Sequence, residues 1–249
     1  MTQTKRGPTA PPAPGPAPRT NHDPAPRTNH DPARTDSDPA PRTDSGPVPR
    51  SDREEGQVAG LLLAAGGGRR LGGRPKALLT HRGRPLVEHA VRVLRAGGCA
   101  RVHVVLGARA GVVRERADLS GCTVVDNPEW AQGMGSSLRA GLASLAGTGA
   151  RAALVLLVDQ PGIGPEAVTR IRAAYASPES LAMASYGGVR GHPVLLGAAH
   201  WSGVAATATG DRGARAYLKA HEAAIRWVEC ADVAQPYDID TEADLTHLR

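Results

Sequence analysis

Residues 58–76 read VAGLLLAAGGGRRLGGRPK, an apolar run followed directly by a glycine-rich, basic loop. The uncharged run 58–63 predicts a buried strand. The three glycines after it can turn the chain sharply and present backbone N–H groups that no side chain obstructs, which is how loops cradle phosphate. The stretch therefore predicts a strand that ends in an anion-binding loop.

Apolar runs and segments of helical period alternate after this loop, as is typical of βαβ units and a mainly parallel sheet. We expect further strands at 101–106, 122–126, 152–158, 181–186, 191–196 and 224–229, and helices at 85–96, 110–117, 136–145, 165–176 and from about 211, before a final segment at 238–248. The pair 181–186 and 191–196 predicts a small antiparallel portion. The sequence thus predicts a three-layer, Rossmann-like α/β fold.

The first 57 residues form a different kind of segment. They are rich in Pro, Ala, Arg and Asp, and they show no apolar period. A degenerate repeat of about eight residues runs through residues 19–47, from RTNHDP to RTDSGP. Such a segment cannot bury enough apolar surface to offset chain entropy, so we predict a disordered linker, with partner docking as the alternative. Residues 58–249 form the predicted folded domain.

Charge and cysteine usage restrict the kind of ligand and compartment. The formal excess of +6 lies entirely in residues 58–249, where 22 Lys and Arg face 16 Asp and Glu. Without interleaved aromatic residues, this balance favours a small anionic ligand over nucleic acid. Three widely spaced cysteines predict reduced thiols. Because no apolar signal-peptide core and no membrane-length apolar window occurs, we expect a cytoplasmic protein without a membrane partner.

Three mechanisms compete for the glycine-rich loop. A Walker A loop is excluded, because the frame from Gly67 to Gly72 is followed by glycine and arginine instead of lysine and a hydroxyl residue. A dinucleotide fingerprint is disfavoured, because Leu71 stands where its third glycine belongs. In the third mechanism, the loop amides and the guanidinium fork of Arg70 hold a polyphosphate. Lys76 supplies a point charge to that polyphosphate.

The whole pattern 63–76, LAAGGGRRLGGRPK, resembles the signature of nucleotidyltransferases that couple a nucleoside triphosphate to a phosphorylated acceptor and release pyrophosphate. The resemblance covers nearly all of residues 58–248 and none of residues 1–57. It implies the nucleotidyltransferase version of the Rossmann-like fold and catalytic roles for Arg70 and Lys76. The residues that it assigns to the nucleotide in this loop are Leu63, Ala64, Ala65, Gly66, Gly67 and Gly68.

Residues 127–138, NPEWAQGMGSSL, resemble the base- and acceptor-reading loop of the molybdenum cofactor cytidylyltransferase branch. Gly133 and Gly135 would let the backbone approach a flat base. Ser136 and Ser137 can cap the next helix and still offer a hydroxyl to the ligand. The resemblance assigns Gly133, Ser136 and Ser137 to the nucleotide and Gln132 to the acceptor. Capping alone remains open for Ser136, as does packing instead of base stacking for Trp130.

Asp159, at the end of the predicted strand 152–158, resembles the family's metal-binding aspartate. The resemblance implies Mg²⁺, or Mn²⁺ in its place. Since Mg²⁺ typically takes one or two carboxylates plus phosphate oxygens, a second acid is expected, and Asp240 matches it. Two alternatives remain open: Asp240 as a residue that only stabilises a helix N-terminus, and Asp238 as the ligand.

Gly191, His192 and Pro193 resemble a turn that this branch carries beside the acceptor, and we assign them, with Gln160, to acceptor binding. A structural role is the alternative for His192. The histidines at 81, 89, 103, 200, 221 and 247 show no metal-ligand spacing, so we predict surface or packing roles for them.

The resemblance implies that an acceptor phosphate oxygen attacks the α-phosphorus of CTP, while the protein positions the reactants and neutralises charge. The implied acceptor is molybdopterin carrying molybdenum, the molybdenum cofactor. The implied recipient of the product is a molybdenum hydroxylase or its maturation chaperone. The alternatives are a guanylyltransferase using GTP, a cytidylyltransferase for a sugar or polyol phosphate, and a non-catalytic cofactor-binding chaperone.

Overall fold

The computed structural model describes residues 57–248. The predicted tail with its repeats lies outside the described residues, apart from Gln57. One sheet has seven strands: β1 Val58–Ala64, β4 Val102–Leu106, β5 Thr123–Asp126, β6 Ala152–Leu157, β7 Leu181–Tyr186, β8 Val189–Gly197 and β9 Ile225–Glu229. A separate ribbon pairs β2 Thr80–His81 with β3 Arg84–Pro85. The strand order in the large sheet is β5-β4-β1-β6-β8-β7-β9.

The parallel half of the sheet is built around β1. Every residue of β1 is buried, and the strand pairs in parallel with both β4 and β6. β5 adds to β4 in the same direction. This arrangement explains why β1 and β6 are continuously apolar instead of alternating: helices cover both faces of a parallel sheet. The carboxyl ends of all four strands therefore meet at one edge.

The other half contains the predicted antiparallel portion. β8 runs antiparallel to both β6 and β7, and β9 returns parallel to β7. Val155 of β6 faces Val194 of β8. This register places the first residues of β8 at the carboxyl end of β6, beside the loops that follow the parallel strands.

Six α-helices within residues 57–248 cover the two faces of the sheet: α1 Leu86–Ala96, α2 Ala110–Arg116, α3 Met134–Leu145, α4 Pro165–Arg172, α5 Trp201–Thr207 and α6 Arg215–Ala220. The core is divided accordingly. One cluster contains buried side chains of α1, α2 and α4, and the second contains those of α3, α5 and α6. The predicted three-layer α/β fold is thus confirmed.

Several boundaries differ from the prediction. α3 begins at Met134, two residues before the expected start, and α5 was not predicted. The helix expected from about 211 is a 3-10 turn, Gly210–Arg212, followed by α6. Cys99 and Cys230 are buried and Cys122 is partly buried, all as free thiols, as predicted. Within residues 57–248, no helix is long and apolar enough to cross a membrane.

Candidate active site

The loops that follow the parallel strands meet at the carboxyl edge of the sheet. Loop 65–75 follows β1, Asn127 follows β5, and Asp159 lies two residues after β6. Because β8 runs the other way, His192 reaches the same edge from the opposite direction, two residues before the Val155–Val194 pair. Ligands of open α/β sheets bind beyond this edge, so the sequence-predicted residues are brought to the expected place.

The three glycines of the loop have three different environments. A Cβ on Gly66 would meet nothing within 4 Å, whereas one on Gly67 would lie 3.1 Å from the indole of Trp130. Gly68 has a φ of 59°, and its Cβ would lie 1.9 Å from the carbonyl oxygen of Arg74. Only Gly66 therefore faces open space. The loop is fixed beyond this point by the fully buried side chain of Leu71.

Lys76 joins the two predicted metal ligands. Its Nζ donates to Asp159 Oδ2 at 2.6 Å and to Asp240 Oδ1 in a second, shorter contact. The side chains of Lys76 and Asp159 are largely buried, at 14% and 20% exposure, while Asp240 is more open. Arg70 is exposed, and its Nη1 lies 3.7 Å from Asp240 Oδ2. The structure therefore groups all four predicted charged residues.

The charge of Lys76 follows from this environment. Burial lowers the pKa of Lys76, but the charges and hydrogen bonds of Asp159 and Asp240 outweigh burial and raise the pKa above its ordinary value. The lysine is therefore an ammonium at neutral pH. Its cation lies at the point on which two carboxylate oxygens converge. An oxygen-rich point of this kind suits a hard divalent cation, so the two acids fit the expected metal.

Asp240 is placed by a segment from the end of the chain. Ile239 N donates to Asp159 O at 2.9 Å, and Gln160 Nε2 donates to Asp238 Oδ1 at 2.8 Å. The carboxylate of Asp244 accepts from the backbone N–H groups of residues 240 and 241 and so fixes the turn. Asp240, not Asp238, contacts Lys76. Burial raises the pKa of Asp238, which the nearby acids raise further.

Gln160 follows β6, and His192 lies near the start of β8, so both residues lie at the carboxyl edge of the sheet. Gln160 is 8% exposed, and its Oε1 has no hydrogen-bond partner among residues 57–248. His192 is partly buried, and its carbonyl accepts from Tyr186 Oη at 2.6 Å. Desolvation lowers the pKa of His192 to about 4, against the opposing charge of Asp159, while the charge of Arg215 lowers it further. The imidazole is therefore neutral at neutral pH.

Asn127 organises the second loop, a role that the sequence analysis missed. It is 4% exposed, its Nδ2 donates to the hydroxyls of Ser136 and Ser137, and its Oδ1 accepts from the N–H of Glu129. Ser136 in turn donates to the carbonyls of Gly133 and Glu129. The signal for Asn127 was a polar residue directly after a strand end.

The expected capping by the two serines is wrong. Gly133 is the N-cap of α3, and no side chain caps this helix. Both serines are buried within the first turn. Their hydroxyls bond to Asn127, so neither serves as a cap.

The glycines of this loop allow a close approach within the protein itself. Gly133 has a φ of 102°, and a Cβ there would lie 2.5 Å from the backbone of Gly210. A Cβ on Gly135 would lie 2.7 Å from the backbone of Ala208 and Thr209. Close packing against the backbone of residues 208–210 therefore accounts for glycine at both positions, without a bound base. Gln132 is exposed, and its Oε1 accepts a hydrogen bond from Arg139 Nη2 at 3.5 Å.

Trp130 packs against the glycine-rich loop and the end of β4. Its ring atoms lie over Gly67, and its Cβ lies over Gly107. The residue nevertheless keeps 36% of its surface exposed. Packing, one of the two alternatives for Trp130, is therefore present, and the exposed part of the residue remains free for a ligand.

This chain is similar to several known proteins. The model of the MobA-like NTP transferase domain matches residues 60–225. The chain is 41% identical to the nicotine blue oxidoreductase of Paenarthrobacter nicotinovorans, over 77% of this chain and 96% of that protein. It is 31% identical to the molybdenum cofactor guanylyltransferase of Acidiphilium cryptum, over 78% and 95% of the two chains.

A solved structure shows the same fold. The manganese complex of Rv0371C from Mycobacterium tuberculosis H37Rv matches with a TM-score of 0.63 and 27% identity, covering 77% of this chain and 97% of the other. The matched domain includes the glycine-rich loop, residues 127–138 and Asp159, but it ends before Asp240. The chain belongs to the MobA-like NTP transferase family, a family of nucleotidyltransferases.

Proposed function

We propose that this protein transfers the cytidylyl group of CTP to the terminal phosphate of the molybdenum cofactor and releases pyrophosphate, with Mg²⁺ or Mn²⁺ bound. The observation that carries the proposal is the convergence of Lys76, Asp159 and Asp240 beside the glycine-rich loop. Two acids that share one cation, next to open backbone at Gly66, supply the carboxylates and the phosphate-binding surface that a metal-bound triphosphate needs.

The chain's own residues supply positioning and charge. Backbone N–H groups of residues 66–68, with Arg70 and Lys76, hold the triphosphate. Leu63, Ala64 and Ala65 are buried, so they offer only their backbone to the nucleotide. Asp159 and Asp240 would hold a divalent cation, which supplies charge neutralisation on the phosphate oxygens when bound. The acceptor oxygen bonds to the α-phosphorus as the bond to pyrophosphate breaks, so no protein nucleophile is needed.

The choice of CTP and acceptor rests on the loops outside the glycine-rich loop. Residues 127–138 and 191–193 resemble the cytidylyltransferase branch, whereas the Acidiphilium cryptum relative named for this cofactor is a guanylyltransferase. GTP is therefore the alternative donor. We assign Gln132, Gln160, Gly191, His192 and Pro193 to the acceptor. Among them, Gln160 is supported by its unmet buried acceptor atom, which a donor group on the ligand would satisfy.

The test is pyrophosphate release by purified protein with Mg²⁺, the molybdenum cofactor and either CTP or GTP. We expect release with CTP, and an at least hundredfold loss in Asp159→Asn, about 2.7 kcal/mol of barrier. The matched control is Asp232→Asn, a surface acid paired with Arg170. Release with GTP alone contradicts the cytidylyl assignment. Unchanged turnover in Asp159→Asn contradicts the metal role and favours a binding chaperone.

The relative at 41% identity makes an oxidoreductase the second candidate. Such an activity requires an electron donor, for which NADPH and NADH are the probes. Leu71 in place of a third glycine disfavours a dinucleotide in the loop, so we expect neither probe to bind. A thermal shift with NADPH or NADH that exceeds the shift with CTP or GTP and Mg²⁺ would favour the oxidoreductase.

A further inference from the structure

One cation already occupies the point between the two candidate metal ligands. The ammonium of Lys76 contacts Asp159 Oδ2 at 2.6 Å and also contacts Asp240 Oδ1. Both acids share this single partner at the centre, and Arg70 reaches Asp240 only from the exposed side. Lys76 therefore balances one of the two carboxylate charges from within the site when no ligand is bound, and the exposed Arg70 is the second cation.

A divalent cation that bound the same two oxygens would meet this ammonium directly. Two cations cannot share one point, because their repulsion in a partly desolvated site is large. The lysine would also lose two charge-assisted hydrogen bonds, and a largely buried ammonium without a partner is costly. Metal binding at these two oxygens thus requires that Lys76 leave them and find another anion.

The side chain of Lys76 can move away from the acids while its backbone stays in place. Its backbone opens a 3-10 helix, Lys76–Leu78, which is held by a hydrogen bond from Leu79 N to Lys76 O and does not depend on the side chain. Four methylene groups connect this fixed backbone to the ammonium. The glycine-rich loop lies immediately before it in the chain. A triphosphate in that loop would offer the ammonium the new anion that it needs.

We propose that Lys76 acts as an internal counter-cation that excludes divalent metal from Asp159 and Asp240 until a triphosphate draws it away. This inference rests on the proposed function, because it assumes that the two acids bind metal. It adds that metal and nucleotide bind as a coupled pair. Coupling is reciprocal, so each ligand strengthens the binding of the other by the same factor.

The test is a titration of the protein with Mn²⁺ alone. The electron paramagnetic resonance signal of free Mn²⁺ measures how much of the metal remains unbound. We expect Lys76→Met to bind Mn²⁺ at least tenfold more tightly than the unaltered protein, about 1.4 kcal/mol. Lys76→Arg keeps the cation and should bind as weakly as the unaltered protein. Arg74→Met is the matched control, because Arg74 pairs with Glu242 and its loss lowers the local charge equally without uncovering the two acids.

Two further measurements complete the test. Adding Asp159→Asn to Lys76→Met should remove the gained Mn²⁺ affinity. In the unaltered protein, the thermal shift with Mn²⁺ and tripolyphosphate together should exceed the sum of the separate shifts. If Lys76→Met does not fold, Lys76→Gln takes its place in the Mn²⁺ titration, and a merely additive shift in the unaltered protein still contradicts the inference.

Equal Mn²⁺ affinity in Lys76→Met and the unaltered protein would overturn the inference, as would an equal gain in Arg74→Met or a merely additive thermal shift. If no form binds Mn²⁺ even with CTP or GTP, the metal site of the proposed function fails, and this inference fails with it. Tight Mn²⁺ binding by the unaltered protein, by contrast, would overturn the inference alone.

Discussion

Replacing Gly66, Gly67 and Gly68 by alanine, one at a time, separates packing from ligand binding in the loop. Gly66 has space around its missing Cβ and does not have a positive φ. Gly66→Ala should therefore leave the fold intact and raise stability by about 0.4–1 kcal/mol, because alanine restricts the unfolded chain. Its methyl group would occupy the open side of the loop, where we place the phosphates. We expect at least a tenfold loss of nucleotide affinity, about 1.4 kcal/mol.

The other two glycines give contrasting results. The Cβ of Gly68→Ala would lie 1.9 Å from Arg74 O, at a left-handed φ of 59°. The left-handed backbone alone costs roughly 1–2 kcal/mol, so this variant should be clearly destabilised. Gly67→Ala meets the Trp130 ring at 3.1 Å, which the ring relieves by moving a few tenths of an ångström. It should lie between the other two in stability.

The assays are urea unfolding for stability and calorimetric titration with CTP or GTP and Mg²⁺ for affinity. The result that matters is a variant that is stable but does not bind. If Gly66→Ala binds nucleotide within about twofold of the unaltered protein, the phosphates do not lie over Gly66, and our placement of the triphosphate is wrong. If Gly68→Ala is fully stable, the packing against Arg74 O is wrong.

Three further predictions concern the surrounding residues. His192, with a pKa of about 4 in the folded protein and about 6.5 unfolded, binds its proton more weakly when folded, so stability falls as the pH drops from about 6.5 towards 4. This effect is about 2 kcal/mol between pH 7 and pH 5, and urea unfolding of His192→Gln should show a correspondingly flatter pH profile. Asn127→Ala removes three hydrogen bonds, two of them buried, and should cost about 2–4 kcal/mol in urea unfolding; a loss below about 0.5 kcal/mol would contradict its organising role. CTP binding should quench tryptophan fluorescence in the unaltered protein and in Trp227→Phe but not in Trp130→Phe, because Trp130 lies on the glycine-rich loop; quenching that survives in Trp130→Phe would place the ligand elsewhere.

The fold was predictable where the sequence carries a period or an unbroken apolar run. β1 and β6 are buried along almost their whole length. Strands buried on both faces need consecutive aliphatic residues, and such runs can be recognised in the sequence. α5 was missed because Trp201–Thr207 is short and lacks a repeated apolar stripe. The start of α3 was misplaced because serine is a common cap. Here the start depends on Gly133 fitting against Gly210, a contact that the local sequence does not encode.

The grouping of the candidate site residues was predictable, because parallel strands bring their carboxyl ends together. That topology alone predicts that Asp159 lies near the glycine-rich loop. The direct pairing of Lys76 with both acids was not predictable, since it depends on side-chain conformation in the unliganded protein. The role of Asn127 was missed for a similar reason: its amide joins two elements whose spacing only the folded chain defines.

The second acid lies beyond the domain match that ends at residue 225, yet its position is tied closely to the first. In the Asp-Ile-Asp run 238–240, Ile239 is fully buried, and its N–H donates to the carbonyl of Asp159 itself. Ile239 is buried between Asp238 and Asp240, and both of these acids contact residues of the site. There Asp238 meets Gln160 and Asp240 meets Lys76. The buried side chain of Ile239 and its main-chain hydrogen bond to Asp159 therefore set the distance between the carboxylates of Asp159 and Asp240. A cation that binds both acids depends on this distance.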